Sequence, residues 1–312
     1  MGTPEFSVPS LKRLILDGHE VSAAFTQPDK PAGRGRHLHV PPVKSLALEH
    51  SIPVHQPSKI KTNDEVRAVF EAVSPDACVV VAYGKILPQW LLDIPRLGCI
   101  NVHASLLPKY RGAAPINWAI AKGERETGVT IMQMDAGMDT GPMLAKRAVP
   151  IGADETALEL SFRLAGLGAE LLSETISLIG AGDLRPVSQD DRESSYAPLL
   201  KREDGLIDWH MSADAIANRV RAFQPWPGMF TDFRGGRLLI WRASQAPISQ
   251  SISATSKAQP GTILAIDAYG ITLRTGSGEL LIQEVQMEGK RRVTAREFSN
   301  GARLKPGDRL TQ

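Results

Sequence analysis

Cysteine is scarce in this sequence, with two residues, Cys78 and Cys99, among 312. Both lie in apolar segments, DACVVVAYG and GCINVH. Two cysteines at this spacing make neither a disulfide framework nor the ligand set of a zinc site. We therefore predict two buried thiols, a reducing compartment, and hence a cytoplasmic protein.

Long apolar runs and the common nucleotide-binding loops are also missing. No stretch reaches the roughly 18 uncharged apolar residues that a membrane helix needs. The first residues, MGTPEFSVPS, lack the basic and apolar regions of a signal peptide. Neither G-x-G-x-x-G nor G-x-x-x-x-G-K-[ST] occurs, which disfavours nucleotide binding by the sheet. We predict no membrane partner and no secretion.

The charge is nearly balanced overall but unevenly distributed. The net charge is +2, and the segment from Trp241 to the end holds ten Lys and Arg against six Asp and Glu. That segment therefore carries +4 and the rest of the chain −2. A basic segment beside an acidic body favours a polyanionic partner, although solvated basic faces are common.

Helical and strand patterns alternate through residues 1–185, which predicts an α/β domain with a doubly wound, mostly parallel sheet. The helical patterns cover 4–17, 43–50, 63–73, 113–122 and 155–180. The strand patterns cover 19–29, 52–57, 76–84, 99–103 and 128–135. Residues 28–42, with four prolines and two glycines, are predicted to be neither. Because the first helix starts at residue 4, the first strand of a βα unit is apparently missing.

The remaining chain shows a different pattern. Residues 186–204 have little periodicity and are predicted to be a linker. Residues 205–312 contain a helical pattern at 212–223, four or five short strands and a small helix at 294–300. Short strands separated by turn signals predict a small, OB-like antiparallel β-barrel as the second domain.

Chemistry-bearing side chains cluster where two predicted strands end. Asn101 and His103 end the strand CINVH, and their spacing places both side chains on one face. Asp135 and Asp139 follow the strand GVTIMQMD in the glycine-containing loop MDAGMDTG. In open parallel sheets, ligands bind beyond the carboxyl ends of the strands. An amide, an imidazole and a carboxylate there could stabilise an oxyanion or move a proton; alternatively, His103 simply bonds a backbone carbonyl.

The segments NVHASLLPKYRGAAP and MDAGMDTG resemble the signature of the 10-formyltetrahydrofolate-dependent formyltransferases. The similarity extends to GTPEF, TQPDKPAGRGR, VVVAYGKILP, IDW and RAFQPWPGM, and is greatest to the bacterial members that act on methionyl-tRNA. It implies formyl transfer from 10-formyltetrahydrofolate to the amino group of methionyl initiator tRNA, without a metal. Members of this family begin with an apolar strand before GTPEF, whereas Met1 stands directly before Gly2 here.

The resemblance also implies roles for individual residues. Asn101 and His103 match the groups that stabilise the oxyanion, and Asp139 matches the residue that orients His103, whereas Asp135 is expected to be structural. The positions that match the folate-contacting segments are Ser105, Leu106, Leu107, Pro108, Tyr83, Gly84, Ile86 and Leu87. The positions expected to contact tRNA are Arg34, Lys30 and Arg36 in the PAGRGR loop, and Lys290, Arg291 and Arg292 in the second domain.

Two other functions remain open on the sequence alone. A formyltransferase could act instead on a small amine, such as an amino-sugar nucleotide or a purine precursor. The purine enzyme would match only the first domain, and the basic loop and basic second domain favour RNA. The chain could also be an inactive RNA-binding relative, against which the intact Asn101, His103 and Asp139 argue. We expect the protein to be a monomer.

Overall fold

The computed structural model describes residues 1–32, 37–247 and 258–310. Its contacts divide the chain into two compact units. The first comprises Met1–Pro115, Glu126–Pro150 and Leu160–Pro198, and the second comprises Ile116–Arg125, Ile151–Glu159 and Leu199–Gln312. The helices are α1 (Val8–Leu16), α2 (Pro42–Glu49), α3 (Asp64–Val73), α4 (Gln89–Asp93), α5 (Pro115–Ala121), α6 (Ala157–Ala181), α7 (Ala213–Ala222) and α8 (Ala295–Ala302).

The strands alternate with these helices in the first half of the chain and follow one another in the second half. They are β1 (Ala24–Phe25), β2 (Lys30–Ala32), β3 (His37–His39), β4 (Val54–His55), β5 (Cys78–Val80), β6 (Cys99–His103), β7 (Arg111–Gly112), β8 (Glu126–Gln133), β9 (Met143–Pro150), β10 (Tyr196–Ala197), β11 (Met229–Phe233), β12 (Gly236–Gln245), β13 (Ile263–Ile266), β14 (Ile271–Arg274), β15 (Glu279–Met287) and β16 (Val293–Thr294).

The main sheet of the first unit has the strand order β5-β6-β8-β9. Strands β5 and β6 run parallel, whereas β6-β8 and β8-β9 run antiparallel. Strand β9 was not predicted; only nine residues separate it from β8, a connection too short for a parallel crossover. The predicted α/β class is confirmed, and the sheet is mixed in strand direction.

A second pair of strands, β1 and β4, runs parallel. Residues 1 and 2 lie between this pair and β5: Gly2 N donates to Phe25 O at 2.9 Å, and Val81 N donates to Met1 O at 2.9 Å. The bridge from Gly2 to Val81 is parallel. Behind it lies a cavity of about 690 Å³ lined by residues of β1, β5, α1 and α3. Among the described residues, no longer strand occupies this gap.

The basic loop was predicted to have no regular structure, and that prediction is wrong for part of it. Strands β2 and β3 pair antiparallel, with Lys30 opposite His39. Lys44 Nζ, on the neighbouring helix α2, bonds Asp29 Oδ2 and Gln56 Oε1, both at 2.7 Å. These contacts hold the start of the segment beside β4. Proline-rich composition argued against strands, but a two-stranded hairpin tolerates proline outside a central position.

The second unit is built on one antiparallel sheet of order β11-β12-β15-β14-β13, with β16 added to β15. Its two longest strands, β12 and β15, pair with each other. The register of this pairing shifts near Arg242. Helix α7 is capped by Ser212, whose Oγ accepts from Ala215 N at 3.2 Å, and the helix buries Ile216 and Val220. The predicted small antiparallel β domain is confirmed.

Helix α6 is the one helix among the described residues whose length and composition would suffice to cross a membrane. Buried core helices pass the same test, and Leu160, Leu164 and Leu172 of α6 are wholly buried within the protein. Thr175 Oγ1 donates to Leu171 O within the helix at 2.6 Å. These features fit a helix that packs against its own protein.

Candidate active site

Strand β6 carries the first two residues of the predicted site. All five of its residues are buried, and Asn101 and His103 remain 8% and 6% exposed. The two side chains share a face because they are two positions apart. Val80 of β5 pairs with Asn101, so the segments after β5 and β6 leave the sheet at the same edge, as expected for parallel neighbours.

Asp139 reaches this face by a different route from the one the sequence suggested. It was expected at the carboxyl end of a parallel strand, but β8 runs antiparallel to β6, and Gln133 at its end lies opposite Ile100. The loop 134–142 starts beside the beginning of β6, where Met134 N donates to Cys99 O at 2.8 Å. The loop therefore has to return along the sheet for Asp139 to approach His103.

Two glycines allow that return. A Cβ at Gly141 would lie 1.9 Å from Gln133 O, and one at Gly137 would lie 2.0 Å from Thr140 Oγ1. The contact at Gly141 is with backbone and excludes any larger residue, whereas at Gly137 a side chain would have to displace the Thr140 hydroxyl. Asp135 Oδ1 accepts from Gly137 N at 3.0 Å and from Thr140 Oγ1 at 2.8 Å, so its contacts are those of a residue that shapes the loop.

The carboxylate of Asp139 is the point where the predicted residues meet. Gly112 N donates to Asp139 Oδ2 at 2.8 Å, and His103 Nδ1 lies 3.7 Å from the same oxygen. Asn101 Nδ2 donates to Asp139 Oδ1 at 3.5 Å. Asp139 itself adopts the left-handed backbone conformation, with φ of +54°, which is uncommon for residues other than glycine, although Asp and Asn adopt it more readily than most.

His103 has an acceptor at each ring nitrogen. Nε2 lies 3.0 Å from Tyr110 O, and because a carbonyl only accepts, this bond requires a proton on Nε2. Nδ1 faces the Asp139 carboxylate. The ring thus satisfies both interpretations of the sequence, a carbonyl partner and an orienting carboxylate. In this arrangement Nε2 acts as a hydrogen-bond donor, and Nδ1 is oriented by the carboxylate.

The segment Ser105–Pro108 leaves the same strand and is mostly buried. Ser105 and Leu107 are fully buried. Ser105 Oγ donates to Lys109 O at 2.7 Å, and Thr130 Oγ1 both donates to Ser105 O and accepts from Leu107 N. Leu106 is half-buried and Pro108 is buried. These bonds fix the backbone of the segment beside His103.

Of the side chains after β5 that were predicted to contact folate, only that of Ile86 is exposed. Tyr83 and Leu87 are buried in the core, and burial raises the pKa of the Tyr83 hydroxyl. The carbonyls of Tyr83 and Gly84 accept from Gln27 Nε2 at 3.0 and 3.3 Å. Ile86 is 86% exposed. Gln27 was not singled out in the sequence, although it follows β1 as the site segments follow β5 and β6.

The basic residues expected to contact tRNA fall in separate places. Lys30 lies exposed on β2, while Arg34 and Arg36 lie outside the described residues. Lys290, Arg291 and Arg292 are exposed in the turn between β15 and β16. The Arg292 guanidinium lies 3.9 Å from the centroid of the Trp241 ring and 3.7 Å from Glu284.

The chain matches the family model described as formyl transferase over residues 1–176. It also matches the model of the formyl transferase C-terminal domain over residues 199–303. The chain belongs to the formyl transferase family. The first match spans the strands, loops and side chains that build the Asn101, His103 and Asp139 site.

This formyl transferase is similar to curated proteins over nearly its whole length. It is 53% identical over 310 residues to the methionyl-tRNA formyltransferase of Geobacter sulfurreducens, covering 99% of this chain and 95% of that protein. It is 48% identical to the methionyl-tRNA formyltransferase of Hydrogenovibrio crunogenus, covering 97% and 95%. The predicted family is confirmed.

Solved structures share the fold at lower identity. WlaRD, a sugar 3N-formyl transferase crystallised in the presence of dTDP and 5-N-formyl-THF, gives a TM-score of 0.65 at 19% identity, covering 93% of this chain and 97% of that chain. The two chains therefore share their architecture across both units.

Proposed function

We propose that this formyl transferase moves the formyl group of 10-formyltetrahydrofolate to the amino group of methionyl initiator tRNA, in translation initiation. The observation that carries the proposal is the convergence of Asn101 and His103 on the Asp139 carboxylate. The relatives named methionyl-tRNA formyltransferase supply the acceptor. We further propose that the protein acts in the cytoplasm as a monomer, away from membranes.

Formyl transfer places negative charge on the formyl oxygen as the amine nitrogen bonds to the formyl carbon. The bond from that carbon to the folate nitrogen then breaks, and the proton lost by the amine ends on the folate nitrogen. Donors positioned where the charge develops lower the barrier more than any other single contribution. We assign that task to Asn101, and to His103 once its Nε2–H exchanges the Tyr110 carbonyl for the formyl oxygen. Only one hydrogen of Asn101 Nδ2 is directed at Asp139, which leaves its second hydrogen for the formyl oxygen.

Asp139 keeps His103 in the donating arrangement. The carboxylate faces Nδ1, and the Tyr110 carbonyl holds Nε2, so acceptors on both sides set the ring orientation. The Gly112 N–H bond to Asp139 Oδ2 fixes the carboxylate in turn. Because His103 is only 6% exposed, the site excludes most water, and its charges interact more strongly than they would in solution.

The folate donor fits the edge where β5 and β6 end. We assign its binding to the backbone and side chains of the two segments that follow these strands, with Ile86 as the exposed apolar contact. Pockets for flat heteroaromatic rings combine an apolar wall with a few fixed polar groups. Within the described residues, no group of three or more His, Cys, Asp or Glu side chains could hold a metal ion.

The test is an acceptor comparison at a fixed concentration of 10-formyltetrahydrofolate. Methionyl initiator tRNA, an amino-sugar nucleotide and a purine-precursor amine are offered to the purified protein and to His103→Ala. We expect formylmethionyl-tRNA from the unaltered protein, a loss of about 10²-fold or more in His103→Ala, and no product from the small amines. Formylation of a small amine but not of tRNA would overturn the acceptor assignment.

The basic turn between β15 and β16 leads to a separate prediction about tRNA binding. Lys290 and Arg291 are exposed, whereas Arg292 packs on Trp241. Removing phosphate contacts weakens RNA binding and reduces its salt dependence. We expect the double variant Lys290→Gln, Arg291→Gln to bind tRNA more weakly and to lower the slope of log K against log salt by about 1–2.

The matched control is Lys59→Gln with Lys61→Gln, two exposed lysines ahead of α3. It removes the same charge without touching the second unit. Nitrocellulose filter binding across a salt series measures both slopes. An equal reduction of the slope in both double variants would mean that the turn supplies only general charge, and would refute the assignment.

We propose that Arg34 and Arg36 in the PAGRGR loop, and Lys30 directly before it, also contact tRNA. The arginine fork can meet phosphate oxygens or a base edge. The length and basic character of this segment support the proposal.

A further inference from the structure

Gln189 occupies a position that nothing in the sequence singled out. It lies in the segment 186–204 that was predicted to be a linker, 50 residues after Asp139. Its side-chain amide uses its full bonding capacity. Nε2 donates to the carbonyls of Asp139 at 2.8 Å and Gly141 at 2.7 Å, while Oε1 accepts from Arg111 Nε at 3.0 Å and Nη2 at 2.9 Å.

Arg111 connects this amide to the other side of the carboxylate. Its side chain is 3% exposed and also bonds Asp191 Oδ1 at 2.8 Å. The next residue, Gly112, donates its N–H to Asp139 Oδ2. The contacts therefore close a ring: Gly112 holds the carboxylate of Asp139, and Arg111 holds Gln189, which holds the main chain of Asp139. The backbone of Arg111 and Gly112 is held in turn by the pairing of β7 with β10.

The loop needs this support. It returns along the sheet from the far end of β6, and its residue Asp139 has a left-handed φ of +54°. Such a conformation persists only where neighbouring groups enforce it. The two bonds from Gln189 hold the main chain at that residue and two residues after it, at the carbonyls of Asp139 and Gly141. Without them, the distances of 3.5 and 3.7 Å to Asn101 and His103 would no longer be fixed.

We propose that Gln189 is a positioning residue for the reaction: it holds the loop 134–142 so that Asp139 faces His103, and it acts on catalysis only through Asp139. The inference rests on the proposed function for its kinetic test. It does not require that Gln189 touch either substrate.

A double-mutant cycle tests the proposal. Gln189→Met removes all four bonds at similar volume, and Gln189→Glu keeps an acceptor for Arg111 but loses both donors to the loop. We expect each to lower kcat for formyl transfer by about 10–100-fold with little change in the KM for folate. In an Asp139→Asn background, Gln189→Met should change kcat less than about 2-fold, because groups that act through one another are not additive.

Gln224→Met is the matched control. The Gln224 amide also bridges two carbonyls, those of Val220 at 2.9 Å and Trp241 at 2.7 Å, within the second unit. We expect it to lower the melting temperature without lowering kcat. The proposal would be overturned if the fold-losses in kcat caused by Gln189→Met and Asp139→Asn multiplied in the double variant. It would also be overturned if Gln189→Glu had the same kcat as the unaltered protein.

A measurement without substrates separates this inference from the proposed function. The Cε1–H resonance of His103, assigned by its loss in His103→Gln, reports the surroundings of the ring. We expect Gln189→Glu to move this resonance toward its position in Asp139→Asn, and Gln224→Met to leave it in place. If the protein formylated no tRNA, the proposed function would fall, and this comparison would still support or overturn the role of Gln189.

Discussion

Replacing Asn101 with alanine is expected to lower kcat for formyl transfer by about 10²–10³-fold, the usual loss when one donor to a developing oxyanion is removed. The KM for folate should change much less, because the bond forms in the transition state and not in the ground state. Asn101 is 8% exposed, so its contribution is made in surroundings that contain little water. Single-turnover kinetics with methionyl-tRNA measures the effect.

Asn63→Ala provides the control for this variant. Asn63 caps helix α3 by accepting from Val66 N at 3.1 Å, and losing a cap costs about 1 kcal/mol of stability. It should therefore lower the melting temperature and leave kcat unchanged. If Asn63→Ala slowed the reaction as much as Asn101→Ala, the loss at Asn101 would reflect stability, and its role as a donor would have to be withdrawn.

The parts of the site that could be predicted from the sequence are those that depend on residue type and on the alternation of side chains along a strand. Asn101 and His103 could be placed on one face because side chains alternate along a strand. The apolar run before them indicated that the strand is buried. The same local signals predicted β12, β13, β14 and β15 of the second unit, because turn residues separate these strands regularly, whereas β11 and β16 were missed.

The rest depended on contacts that local patterns do not encode. Strand β8 resembles a parallel strand in composition, and nothing local reveals that it runs antiparallel to β6; its short connection to β9 indicates only that β9 is antiparallel to β8. The donor at Gly112 is a backbone N–H, which any residue other than proline would supply. Gln189 lies far from Asp139 in sequence, and a lone glutamine in a polar segment is ordinarily exposed. Long-range hydrogen bonds of this kind require coordinates.

An apolar strand added before Met1 is expected to stabilise the first unit. The cavity of about 690 Å³ between β1 and β5 is lined mainly by apolar side chains, among them Val21, Phe70 and Val79. Met1 N already donates to Val79 O at 2.7 Å, so a chain extended from this nitrogen would continue along both strands. We expect about five β-branched or aliphatic residues to raise the free energy of unfolding by about 2–4 kcal/mol, the value of one or two buried aliphatic side chains.

The extension should also abolish a dependence of stability on pH. Burial lowers the pKa of the Met1 ammonium below its ordinary 8.0, so the unfolded chain binds this proton more tightly than the folded one. The resulting penalty is complete below the folded pKa and disappears as the pH rises to about 8, which means that stability rises across this window. In the extended chain the group is an amide N–H that donates to Val79 O and does not titrate.

Three proteins distinguish the explanations: the chain that starts at Met1, the same chain with the apolar extension, and the same chain with a glycine-serine extension of equal length. Intact mass establishes the first residue of each, and denaturant unfolding at several pH values gives the free energies. Both extensions remove the ammonium from Met1, but only the apolar one can fill the cavity. Equal stability of the two extended chains would show that the charge alone matters, whereas a gain specific to the apolar strand, with slower hydrogen exchange at Phe25 and Val81, would show that the gap binds a parallel β-strand.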